Sequence, residues 1–158
     1  MTTPFLEYEL RDGYIHNWLV AGPLEIPVTV LADGNLGEPE QKLHIAREAQ
    51  RARERAGAGP ELTGEPVDRG VAILADKQLH WSYTRCLDDH FVDLSTFRHE
   101  WTYLRAWAYT RLNLFDAAEV TLVLTTNGPA DVWINGVHVH RHEHFHHQDP
   151  KSVAFQAS

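Results

Sequence analysis

Asp131-Val132-Trp133-Ile134-Asn135-Gly136-Val137-His138-Val139-His140 is the stretch on which the fold reading turns. Asn-Gly between alternating residues is a strong short hairpin signal, because a type I′ turn needs positive φ at both central positions and these two residues adopt it at low cost. A two-residue loop fixes the register: Ile134 opposes Val137, Trp133 opposes His138, Val132 opposes Val139 and Asp131 opposes His140. Opposed residues share a face. The expected core face is therefore Val132, Ile134, Val137 and Val139. The expected outer face is Asp131, Trp133, His138 and His140. A one-residue slip would turn the histidines inward, so the pattern specifies the register strongly.

On either side of the hairpin, β signals recur at short spacing. Glu119 to Thr126 reads as a strand ended by Asn127-Gly128-Pro129, and His80 to Arg85 alternates with two aromatics. His16 to Ala21 is a short apolar run stopped by Gly22-Pro23, and Ile26 to Leu31 is another. The spacing of Trp101 to Leu112 suits strand or helix, while its Trp, Tyr and Thr content favours strand. Residues 38–57 differ: Pro39 suits a first turn, Gly57 closes the far end, and good helix formers lie between. The apolar stripe there is thin, which predicts a surface helix inserted between strands. No repeat is visible. The expected fold is a single all-β domain over 1–158, an antiparallel β-sandwich with one inserted helix.

Composition narrows the function classes. Of the 158 residues, 43% are hydrophobic and 23% charged, enough for a packed core. The net charge of −8 argues against nucleic acid as a partner and leaves neutral partners such as sugars open. The single cysteine, Cys86, has no internal disulfide partner and reads as a small buried apolar residue. The start, Met1 to Glu7, lacks a basic region and an apolar run, and no stretch reaches membrane-helix length. A cytoplasmic location with no membrane partner is expected.

The segment Ala130-Asp131-Val132-Trp133-Ile134-Asn135-Gly136-Val137-His138 resembles the “A-x-V-W-(L/V/I)-N-G-x-x” segment of the sugar-binding, jelly-roll (galactose-binding-like) domain of family-2 glycosidases. Trp18-x-x-x-Gly22-Pro23 and the Trp81 to Leu94 region look like other parts of such N-terminal modules. The resemblance implies a non-catalytic accessory β-sandwich of a bacterial glycoside hydrolase. Such a domain packs against a catalytic domain of the same polypeptide or a partner subunit and does no chemistry itself. Where that family continues with a Gly-rich loop and a “G-x-N” turn, this chain has a His-rich loop and reaches Val153-Ala154-Phe155. Closing strands are expected beyond Ser158.

Two further readings stay open. Asp131, Trp133, His138 and His140 could bind carbohydrate, the indole stacking on the apolar face of a pyranose; packing under the helix or a neighbouring domain is the plain alternative for Trp133. The second reading is a metal. Six of the eleven histidines fall at His138, His140, His142, His144, His146 and His147. On a straight strand, alternate residues stand about 6.6–6.8 Å apart. Nitrogen ligands sit about 2.0–2.1 Å from an ion, so a straight strand does not easily bring His140, His142 and His144 to one zinc, nickel or copper; a bend after His140, or help from Asp131 or Glu143, would complete such a site. No cofactor is otherwise expected. Asp88, Asp89 and Asp93 read as turn formers and caps, and Ser82, Ser95 and Cys86 lie in no nucleophile motif.

Overall fold

A computed structural model describes residues 7–27, 38–55, 62, 64–74, 76–94, 99, 102–115, 119–146 and 149–157. The chain is of the all-β class, built from antiparallel sheets. It divides into two compact units, residues 1–111 and 112–158.

The first unit holds a four-stranded sheet of β1 (Asn17–Pro27), β2 (Val71–Leu74), β3 (Lys77–Arg85) and β4 (Thr102–Tyr109), in the order β2-β3-β1-β4. Helix α1 (Glu38–Arg55) falls between β1 and β2 in the chain and includes Pro39 in its first turn. Its buried Glu48 accepts a hydrogen bond from Arg51 one turn on. Substantial packing among the described residues is strand on strand and does not involve α1. No helix among the described residues is long and apolar enough to cross a membrane.

The core of this unit follows from register. Ala21 of β1 stands opposite Trp81 of β3 on one side and Trp107 of β4 on the other. Two indoles side by side leave room for little more than a methyl group between them, and Ala21 is fully buried at 0% exposure. Leu74 joins these three, with Leu19, Leu24, Ala72, Leu79 and Tyr109 packed around them. Trp81 and Trp107 thus supply the bulk of this core, Trp18 is half-buried, and Trp101 lies outside the described residues. Within the Trp101–Leu112 region, Thr102–Tyr109 is strand. Gly22-Pro23 does not end the first strand as expected. β1 runs on to Pro27 past a register shift between Ala21 and Leu24, and Gly22 takes φ +109° there. A side chain at that position would meet the Arg105 carbonyl at 3.0 Å, so glycine lets β4 approach. Residues 28–31 of the expected Ile26–Leu31 run lie outside the described residues.

The second unit contains β5 (Val120–Thr126), β6 (Ala130–Ile134), β7 (Val137–His142) and β8 (Lys151–Ala157). β5 pairs with β8, and the β6–β7 hairpin is nested between them in the chain. Alternation along β5 and β8 puts Val120, Leu122 and Leu124 beside Ala157, Phe155 and Val153 on the more buried side. The exposed side carries cross-strand polar pairs: Thr121 with Gln156, and Thr125 Oγ1 with Ser152 Oγ at 2.8 Å.

Candidate functional site

The β6–β7 hairpin turns as its sequence dictates, with φ of 50° at Asn135 and 80° at Gly136. Ile134 opposes Val137 and Trp133 opposes His138, as expected. The register then shifts. Val132 faces His140, Asp131 faces Arg141 and Ala130 faces His142, which leaves Val139 as the extra residue of a bulge. The expected pairs Val132–Val139 and Asp131–His140 are therefore corrected.

That bulge redistributes the faces. Asp131, Trp133 and His138 keep the common face assigned to them, and Arg141 takes the place expected for His140. Asp131 Oδ1 accepts from Arg141 Nε at 2.7 Å and lies 2.9 Å from His138 Nε2. The Trp133 and His138 rings are tilted at 5.0 Å between centroids. The Asp131 carboxylate pushes the Arg141 guanidinium above its ordinary value, chiefly through the hydrogen bond. An aromatic surface, an acceptor and two donors thus lie together on one short hairpin.

His140 goes to the other side, opposite Val132, where it stacks on Phe155 at 5.1 Å with the rings 4° from parallel. Its Nε2 is buried with no hydrogen-bond partner among the described residues. The expected core face is altered accordingly: Val137 is 64% exposed and Val139 sits in the bulge.

The bulge also divides the histidine run. His140 is held against Phe155, whereas His142, the last residue of β7, meets His146, their Nε2 atoms 2.9 Å apart. The His144 ring stands edge-on to His142 at 6.1 Å. The His146 amide donates to the Asn127 carbonyl at 2.7 Å, and Phe145 lies against Gly128. These two contacts fold the segment after β7 back on the β5–β6 turn. Burial, then the neighbouring His142, pushes the His146 imidazole below its ordinary value. Among the described residues no three His, Cys, Asp or Glu side chains are grouped to hold an ion, and His147 lies outside them.

A second histidine pair was not signalled by the sequence. His16 Nε2 lies 2.8 Å from His90 Nδ1, and Tyr14 stacks on His90 at 3.8 Å and 7°. The partners are 74 residues apart, so no local spacing reveals them. Close by in the chain, Asp89 accepts from the Phe91 amide as a turn former, and Cys86 is buried, which pushes its thiol above the ordinary value. Comparison with known proteins returns no match to a family model, a curated protein or a solved structure.

Proposed function

We propose that this chain is a non-catalytic accessory β-domain of a carbohydrate-active, glycosidase-like protein, and that the outer face of the β6–β7 hairpin packs on a catalytic domain. The jelly-roll layering and the role of α1 as a surface insertion are part of the same proposal. Its sequence support is the Ala130–His138 segment and the resemblance it carries. The observation that carries it furthest is the cluster of Asp131, Trp133, His138 and Arg141 on a turn-fixed hairpin. An aromatic body ringed by charged hydrogen-bonding groups is the composition of a contact surface, since aromatics and Arg are enriched where proteins meet. The nested pairing of β5 with β8 around β6–β7 is also the strand arrangement that a jelly roll repeats.

A photo-crosslinking residue in place of Arg141, in cells of the source organism, tests this reading. The expected product joins the hairpin to a glycoside hydrolase catalytic domain, and its yield falls sharply in Trp133→Ala. Crosslinks to unrelated proteins alone overturn the proposal. The same cluster favours one second reading, a sugar site, because an indole beside an acceptor and two donors is what a pyranose needs. Saturable binding of an oligosaccharide that disappears in Trp133→Ala establishes that reading instead.

A further inference from the structure

We propose that His142 and His146 form a two-point chelate for a divalent transition ion of the nickel or copper type, with water in the remaining positions. This inference is independent of the glycosidase reading. It rests on how the chain delivers the two imidazoles. β7 ends at His142, and the next residues turn back because the His146 amide is bound to Asn127 and Phe145 packs on Gly128. The two side chains are therefore brought together by backbone contacts that do not depend on an ion.

Their separation selects the chemistry. Without an ion, one Nε2 donates to the other across 2.9 Å. Two nitrogens each about 2.0–2.1 Å from an ion and at right angles to one another are also about 2.9 Å apart. A tetrahedral angle needs about 3.4 Å. The existing spacing thus suits the cis positions of a tetragonal or octahedral ion, and only ring rotation is needed to aim both lone pairs at one point. Copper(II) and nickel(II) prefer that geometry and accept imidazole readily.

The His16–His90 pair shows what such a contact looks like when it is not a chelate. Its nitrogens are equally close, but His90 is held flat against Tyr14, and rotation of its ring breaks that stack. It acts as a structural hydrogen bond and provides an internal control.

The test uses the full chain, stripped with chelator and titrated with nickel chloride or copper sulfate alone. Calorimetry is expected to show one saturable site. Histidine side-chain resonances of the unaltered protein are expected to broaden first at His142 and His146, with His16 and His90 unaffected. His142→Ala and His146→Ala are each expected to weaken binding at least about tenfold, since loss even of an outer partner of a metal ligand costs that much. His80→Ala, at an exposed position of β3, is expected to leave it unchanged. Absence of a saturable site overturns the proposal. Broadening spread evenly over the histidines from His138 to His146 does so too, and because it is read on the unaltered protein it does not depend on whether a variant folds.

Discussion

His140 shows how much one inserted residue changes. Alternation puts it beside Trp133 on the outer face, yet the Val139 bulge carries it to the inner side and against Phe155. A stacked aromatic pair contributes about 0.5–1.5 kcal/mol beyond its burial. Against that, Nε2 is buried without a partner among the described residues, and an unmade buried hydrogen bond costs about 1–3 kcal/mol. A phenyl ring keeps the stack and removes the nitrogen. His140→Phe is therefore expected to stabilise the second unit by about 1 kcal/mol, read from slower hydrogen exchange at the β5 and β8 amides. His140→Ala loses the stack and is expected to speed the same exchange. Faster exchange in His140→Phe, as large as that in His140→Ala, refutes the argument.

At the scale of elements, what was legible was whatever local chemistry decides. The Asn135-Gly136 turn, the alternation of β5 and the strand character of residues 102–109 follow from φ preference and side-chain type. The bulge at Val139 did not, because it depends on where Asp131 finds Arg141 and where His140 finds Phe155, contacts that no two-residue period encodes. For the same reason the alternation put Asp131, Trp133 and His138 on one face, where they lie, and missed Arg141. Strand β2 is only four residues long and gave little signal; its place is set by pairing with β3. Pairing also explains the most sensitive position in the four-stranded sheet. Ala21 looks unremarkable in the sequence, but its partners are Trp81 and Trp107. Ala21→Leu adds three carbons where none fit, and overpacking of this kind costs about 1–3 kcal/mol. The expected result is a lower denaturation midpoint with an unchanged slope, followed by tryptophan fluorescence. A midpoint equal to that of the parent chain means the two indoles are not tightly opposed.

Over the whole molecule, Arg141 aside, whose guanidinium stays charged throughout, the shifted groups fall on different sides of neutrality in the two units, and this gives each unit its own pH limit. In the first unit, burial raises Cys86, Tyr83 and Tyr109, with Glu65 adding to the effect at Tyr109 and Tyr8 at Tyr83. Each is neutral when protonated, and each holds its proton to higher pH in the folded chain than in the unfolded one. The folded state therefore binds more protons once pH passes the ordinary values of 9.0 for the thiol and 10.0 for the phenols. The stability these groups confer is fully present below those values and is lost as pH rises through the folded ones. In the second unit, Asp149 is lowered by its hydrogen bond to Lys151, and His146 is lowered by burial. Here the unfolded state binds more protons, so the contribution is present above the ordinary values, 3.8 and 6.5, and is lost as pH falls through the folded ones. Residue-resolved hydrogen exchange across pH, with chelator present, is expected to show the two limits separately. After correction for the intrinsic pH dependence of exchange, protection of β5 to β8 should fall first on the acid side, and protection of β1 to β4 first on the alkaline side. Tyr109→Phe is expected to flatten the alkaline loss in β1 to β4 and leave the acid loss in β5 to β8 untouched. Equal loss of protection in both units at both extremes means that the shifts do not set the limits and that global charge repulsion, starting from a net charge of −8 at pH 7, does.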